Sequence, residues 1–222
     1  MNICDLSISV YVANLKKRTD RLAHIKEQFE GKDEFEVHYI EAIEDKIGDL
    51  GLWKTFCKCI GQAKELNEDV IIFCEDDHEF TECYTRELLF KNIFKAYQLQ
   101  ADLLIGGSTG GFSVAVPISK NLIWVNDYWS NQFLVIYEKF FDVILGVNDF
   151  DPAKKVDNTL SKLALNKFVL FPYISRQKNF GYSDVTSYNN INPDEVAHRF
   201  ENTEKRLRSI NTIYNLFHPD SE

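Results

Sequence analysis

Residues 70–80, VIIFCEDDHEF, carry an apolar run directly into three carboxylates. The first four residues are β-branched or aromatic and predict a buried strand. Glu75, Asp76 and Asp77, called the acidic trio below, follow after a single cysteine. Three neighbouring carboxylates repel one another and raise one another's pKa unless a cation or hydrogen-bond donors compensate them. The stretch is therefore either a solvated strand end or a divalent-metal site at the carboxyl end of a strand, where open α/β sheets bind ligands.

The spacing within the acidic trio suggests how it would divide its work. On an extended segment, Glu75 and Asp77 point the same way and Asp76 points the other way. Ligand sets made only of oxygen suit Mg²⁺ or Mn²⁺ better than zinc. We therefore predict Glu75 and Asp77 as metal ligands and Asp76 as a partner for a sugar or ribose hydroxyl. His78 is predicted to face solvent in a loop.

The composition restricts the class of protein. The chain has 222 residues, 45% of them hydrophobic, and a formal net charge of −9. This charge argues against broad nucleic-acid binding, which needs a basic surface. The five cysteines include no second pair at zinc-ligand spacing, which indicates reduced thiols. The start of the chain lacks the pattern of a signal peptide and no apolar run approaches a membrane span, so we expect a cytoplasmic location.

The remaining sequence alternates between strand and helix patterns. Strands are predicted at 7–15, 35–43, 70–77, 102–107, 112–118, 122–129, 132–137 and 167–174, and helices at 19–30, 52–66, 82–100, 138–146, 157–165 and 194–217. This alternation predicts an α/β fold with a mostly parallel central sheet and helices on both faces. We expect one domain over residues 1–222, with 194–217 as a C-terminal helix.

A polar segment, NLKKRTDR at residues 14–21, joins the first predicted strand to the first helix. Asn14, Arg18, Asp20 and Arg21 therefore fall where a doubly wound sheet opens its ligand crevice, and a helix N-terminus favours phosphate. A solvated basic turn is the alternative. No G-x-G-x-x-G follows the strand, which speaks against a dinucleotide fingerprint.

Two later segments supply further candidates. Asp157 precedes a helical pattern, so it is either a helix cap or a general base facing the crevice. The segment 171–185 leads from a strand into a polar loop in which Gln177, Ser183 and Asp184 are candidates for the pocket lining. Read by itself, that segment is simply a loop.

Three segments taken together resemble glycosyltransferase family 25, the lipopolysaccharide-type enzymes related to the collagen galactosyltransferases. They are YVANLKKRTDR, GLWKTFCKCIGQAKELNEDVIIFCEDD and VDNTLSKLALNKFVLFPYISRQKNFGYSDV. Their order matches, and the resemblance extends over roughly residues 7–185. It implies a GT-A-like nucleotide-sugar-binding fold and inverting transfer of a hexose, galactose or glucose, from a UDP-sugar donor with Mn²⁺ or Mg²⁺. The acceptor class it implies is a cell-surface glycan or a lipid-linked saccharide.

The resemblance also suggests residue roles. The family's N-L-x-x-R-x-D-R pattern matches the segment 14–21 and implies nucleotide-sugar contacts, and its E-D-D matches the acidic trio as metal and sugar ligands. The late pieces match Asp157 and Ser183-Asp184, with Asp157 as the expected base and Asp184 as the second candidate. The residues expected to bind the nucleotide-sugar are Asn14, Leu15, Arg18, Arg21, Asp76, Gln177 and Ser183.

One departure from the family pattern leaves an alternative open. Where relatives often carry a serine followed by a histidine, this chain has Thr55 and Phe56. A non-catalytic GT-A-like module that binds a nucleotide-sugar or a partner is therefore the second hypothesis. The basic residues Lys205, Arg206 and Arg208 leave a peripheral contact with the inner face of a membrane open, although acidic neighbours favour packing on the domain.

Overall fold

A computed structural model describes residues 6–181 and 194–219. The strands are β1 (Ile8–Asn14), β2 (Phe35–Glu41), β3 (Val70–Glu75), β4 (His78–Phe80), β5 (Leu103–Ile105), β6 (Ala115–Pro117), β7 (Leu122–Val125), β8 (Phe133–Tyr137), β9 (Lys167–Leu170) and β10 (Ser175–Gln177). The helices are α1 (Thr19–Phe29), α2 (Gly48–Glu65), α3 (Arg86–Gln98), α4 (Glu138–Leu145), α5 (Val156–Leu163) and α6 (Glu195–Phe217). Among the described residues, no helix is long and apolar enough to cross a membrane.

The central sheet has eight strands in the order β2-β1-β3-β8-β5-β9-β7-β6. Strands β1, β2 and β3 pair in parallel, as do β5 and β9. The other four neighbour pairs are antiparallel, because β8 and β7 run against the remaining six strands. The predicted α/β class is confirmed. The prediction of a mostly parallel sheet holds for strand direction but not for pairing, so the sheet is mixed.

Helices cover both faces of the sheet, as predicted. On one face, Val10, Val12 and Ile72 pack with side chains of α1 and α3. On the other face, Tyr11 and Phe73 pack with side chains of α2, α4, α5 and α6. Because β3 lies inside the sheet with apolar layers above and below it, its sequence is continuously apolar rather than alternating.

The register of β1 and β3 brings the two predicted polar segments together. Ala13 pairs with Glu75, so the residues that follow each of them leave the sheet side by side. Both strands run in the same direction, which puts Asn14 and the acidic trio at one edge of the sheet. The loop into α1 begins at this same edge, and it carries the basic residues of segment 14–21.

Strands β4 and β10 form a two-stranded antiparallel ribbon next to the acidic trio. This ribbon was not predicted from the sequence. It pairs His78 with Gln177. The prediction that His78 faces solvent is wrong, because the side chain is fully buried against the rings of Phe29, Phe80 and Phe133. Burial lowers the pKa of His78 to about 3, so the ring is neutral at pH 7.

Phe56, the departure noted in the sequence, lies in the core. It is fully buried, and its ring centroid is 4.6 Å from that of Phe73 on β3. Phe56 therefore packs against the strand that leads into the acidic trio. It does not line the cavity described below.

We expect Phe56→Ala to lower the free energy of unfolding by about 3–5 kcal/mol, because it leaves a cavity in a close-packed layer. Urea denaturation followed by circular dichroism measures this. Phe94→Ala is the matched control, since Phe94 is 51% exposed, and it should cost about 0.5 kcal/mol or less. Equal losses in the two variants would contradict the assignment of Phe56 to the core.

Candidate functional site

A cavity of about 730 Å³ opens at the carboxyl ends of β1 and β3. This volume falls within the usual range for small-molecule sites. One wall is the segment 42–49 after β2, and the floor carries the acidic trio. Further lining comes from the segments 129–131 and 155–158, together with residues of β10 and α6, and the Val156 amide donates to Asp49 Oδ1 at 3.4 Å. The sheet edge named by the sequence is therefore the edge with a ligand-sized cavity.

Asp76 and Asp77 share one guanidinium. Arg21 Nη1 donates to Asp76 Oδ1 at 2.9 Å and to Asp77 Oδ2 at 3.2 Å. Asn14 Nδ2 donates to the second oxygen of Asp76 at 2.7 Å and to the Arg18 carbonyl at 3.2 Å. The side chains of Arg21, Asp76 and Asp77 are only 11%, 10% and 13% exposed. Removing one partner from a buried charge cluster of this kind destabilises the fold, because it leaves uncompensated charge.

Glu75 is less well compensated, since Arg21 only partly opposes the rise of its pKa. No hydrogen bond joins its carboxylate to another described residue. Burial raises the pKa of Glu75 well above its ordinary value, and the charges of Asp77, Asp76 and Asp157 raise it further. Burial also raises the pKa of Asp77 to about 6, although Arg21 and a long contact from Gln177 oppose this. Two cavity-facing carboxylates thus resist ionisation in the absence of a cation.

The residues could hold a divalent ion only if the ligand and water supplied part of its coordination shell. Within residues 6–181 and 194–219, no group of three or more His, Cys, Asp or Glu side chains is arranged to hold a metal. A site built by protein ligands alone is therefore not formed there. Mg²⁺ and similar ions are often held by one or two carboxylates with phosphate oxygens and water completing the shell. Glu75 and Asp77 match that donor set.

Asp157 also lines the cavity. It is the second residue of α5, not the N-cap, since Lys155 occupies the cap position without a side-chain cap bond. Its Oδ2 accepts from the Ser130 amide at 3.2 Å and its Oδ1 from the Asn158 amide at 2.8 Å. Burial raises the pKa of Asp157, while these two amides oppose the rise. A carboxylate that is fixed in place and has a raised pKa can serve as a general base.

Backbone strain concentrates beside Asp157. The described non-glycine residues with positive φ are Asn67, Gln100, Ser130 and Lys155. Asn67 and Gln100 follow the ends of α2 and α3, where a left-handed residue is common. Ser130 (φ 89°) and Lys155 (φ 60°) have no such explanation, and both line the cavity. Each such residue costs about 1–3 kcal/mol and persists where the surroundings fix it, often at functional sites.

The other predicted residues divide into three groups. Leu15, Arg21 and Gln177 line the cavity. Of the described candidates, Asn14 and Arg18 do not line it, and Asn14 acts by holding Asp76. Ser183 and Asp184 lie outside the described residues.

Sequence reasoning missed part of the lining. Thr55 is fully buried and accepts from the Ile43 amide at 2.8 Å, which fixes the segment 42–49 against α2. Asp49 at the start of α2, and Trp129 and Arg199 across the cavity, also line it. Their side chains come from distant parts of the chain. Thr55 stands where the family pattern has a serine, and no local pattern marks Asp49, Trp129 or Arg199.

Comparisons with known proteins add little. No family model and no curated protein matches the chain. Among solved structures, the chain is similar to the crystal structure of apo UDP-glucose pyrophosphorylase, with 10% identity and a TM-score of 0.44 over 90% of this chain and 82% of that one.

The raised pKa of Asp77 gives a pH dependence in the metal-free protein. The native state holds this proton more tightly than the unfolded chain, in which aspartate titrates near its ordinary value of about 4. The resulting stabilisation is complete below that value and is lost as the pH rises through about 6. Relative to Asp77→Asn, the wild-type free energy of unfolding should fall by about 1–3 kcal/mol between about pH 4 and pH 7. Urea titrations in chelator measure the difference.

Asp149→Asn makes the same substitution at an exposed position and should leave this pH profile parallel to that of the wild type. A wild-type stability that rises relative to Asp77→Asn over the same interval would show that the Asp77 pKa is depressed, contrary to expectation.

Proposed function

We propose that this protein is an inverting glycosyltransferase that moves a hexose, galactose or glucose, from a UDP-sugar to a cell-surface glycan or glycolipid precursor. The observation that carries the proposal is that the acidic trio and Asp157 line the same cavity. A donor diphosphate and an acceptor hydroxyl need these two kinds of group on either side of the reacting carbon. The resemblance to glycosyltransferase family 25 points the same way.

The donor would bind on the acidic side. Glu75 and Asp77 would hold Mn²⁺ or Mg²⁺ together with the diphosphate, and the bound ion would supply Lewis-acid stabilisation of the leaving group. The Arg21 guanidinium contacts Asp76 and Asp77, so it lies close to where the diphosphate would bind. Arginine suits phosphate because its fixed donors can form paired contacts. Asp76, held by Asn14 and Arg21, would accept from a hydroxyl of the donor sugar or ribose.

Asp157 would act as the general base. As the acceptor oxygen bonds to the anomeric carbon, the bond from that carbon to the diphosphate oxygen breaks, and the hydroxyl proton passes to Asp157. UDP departs with the bonding electron pair, and the anomeric configuration inverts. The amides of Ser130 and Asn158 fix the carboxylate before the acceptor arrives. The raised pKa of Asp157 makes it a stronger base than an exposed aspartate.

UDP should raise the melting temperature only when Mn²⁺ or Mg²⁺ is present, because the two carboxylates need the ion to accept a diphosphate. At one hundred times its dissociation constant, a ligand stabilises the native state by about 2.7 kcal/mol. Asp77→Asn should abolish the shift, and Asp149→Asn should retain it. Thermal-shift assays with UDP, other nucleoside diphosphates and a chelator measure this, and a full UDP shift in Asp77→Asn would exclude the metal role.

Asp157→Asn should lower kcat by about 10²–10⁴ while leaving the UDP and Mn²⁺ shift unchanged, because it removes the base, and its one remaining side-chain oxygen can still accept from one of the two amides. Transfer from UDP-galactose and UDP-glucose to a panel of saccharides is the measurement. A rate equal to that of the wild type would eliminate Asp157 as the base, and the untested Asp184 would become the candidate.

The second candidate is a module that binds a nucleotide-sugar without transferring it. The contact of Arg21 with both Asp76 and Asp77 favours it, since the guanidinium already offsets part of the charge that a metal would neutralise. A UDP shift that is independent of metal, together with neither transfer nor slow donor hydrolysis, would support this candidate over the enzyme.

A further inference from the structure

Trp129 is a large apolar side chain held open to the cavity. It lines the cavity and is 40% exposed, whereas Trp53 is buried at 5%. An indole exposed inside a concave site offers apolar surface to a ligand. Tryptophan combines a large contact area with one polar N–H, which makes it a common anchor in binding sites.

The chain fixes this ring through a close approach of two glycines. Trp129 forms an isolated bridge with Gly110, and its amide donates to the Gly110 carbonyl at 2.9 Å. Gly111 (φ +91°) lies so near that an added Cβ would be 2.8 Å from the Tyr128 carbonyl carbon. Any other residue at 111 would displace the segment that carries the ring. The position of Trp129 is therefore set by backbone packing.

Two hydrogen bonds then tie Trp129 to the wall that carries Asp157. Trp129 Nε1 donates to Asn158 Oδ1 at 3.2 Å. The next residue, Ser130, has a strained backbone and donates its amide to Asp157 Oδ2 at 3.2 Å. The indole and the carboxylate are consequently held in one rigid unit. A group resting on the ring would lie at a set position relative to the carboxylate.

We propose that Trp129 is the platform for the saccharide acceptor: one C–H face of a neutral hexopyranose packs on the indole and presents a hydroxyl to Asp157. The proposal rests on the proposed function, since it takes Asp157 as the base. We assign the ring to the acceptor and not to the nucleobase because the Trp129 side chain is hydrogen-bonded to Asn158 of α5, next to Asp157. Arg21 and the acidic trio, which would hold the donor, belong to α1 and the end of β3. The polarised C–H bonds of a pyranose face match the negative face of an aromatic ring.

Arg199, the cation over the Trp129 ring, already forms an ion pair. Arg199 lies 5.9 Å from the centroid of the Trp129 ring and is paired with Glu195 on the preceding turn. Its charge is thereby offset, so it does not call for an anionic acceptor. We therefore assign a neutral sugar ring to this position.

The test uses saturation-transfer NMR with the methyl glycosides of galactose and glucose, measured on the wild type, Trp129→Ala and Trp129→Phe without any donor. We expect binding to the wild type, weakening of about tenfold in Trp129→Ala and a smaller loss in Trp129→Phe, which keeps a ring. Phe94→Ala removes an exposed aromatic outside the cavity and should bind as the wild type does. Unchanged glycoside binding in Trp129→Ala, or no binding of either glycoside to the wild type, would overturn the assignment.

UDP binding in the presence of Mn²⁺ provides the second arm. It should be unchanged in both Trp129 variants, and a tenfold loss would assign the ring to the nucleobase instead and overturn the proposal. Because Trp129→Phe is milder than Trp129→Ala, it keeps the test valid if the alanine variant unfolds. Failure of the wild type to bind UDP or transfer sugar counts against the proposed function alone, since glycoside binding is measured without donor.

Discussion

The contact of Arg21 with Asp76 and Asp77 holds the cavity floor together. Without it, Asp76 and Asp77, which are only 10% and 13% exposed, would lose the guanidinium that offsets their charge. Arg21 comes from the first turns of α1, so the same contact fixes that helix to the end of β3. Asn14 completes the arrangement from β1 by satisfying the other oxygen of Asp76. One guanidinium thus joins electrostatic compensation to the placement of two neighbouring elements.

The two walls of the cavity are fixed in different ways. On the acidic side, charge and hydrogen bonding determine the side-chain positions, and the acids resist ionisation through burial. On the Asp157 side, backbone conformation determines the side-chain positions, through the strained Ser130 and Lys155 and the glycine contact next to Trp129.

Much of the fold follows from local patterns. The buried strand of residues 70–74, the helices and the long C-terminal helix were predictable because periodicity and apolar content are properties of short segments. The insertion of β8 against β3 was not, since strand order and direction depend on contacts between distant residues. His78 shows the same limit: its neighbours in sequence are charged, but the rings around it come from α1, β4 and β8.

The sequence by itself determined that three carboxylates follow the buried segment of β3, and it predicted that a helix begins near Asp157. It could not bring Asp157 within one cavity of the acidic trio, because the 79 residues between them close that distance only through sheet pairing and helix packing. Thr55, Trp129 and Arg199 belong to the cavity for the same reason. Residue type and spacing specify which groups are available, and the tertiary structure decides which of them meet, because a cavity is lined by residues from distant parts of the chain.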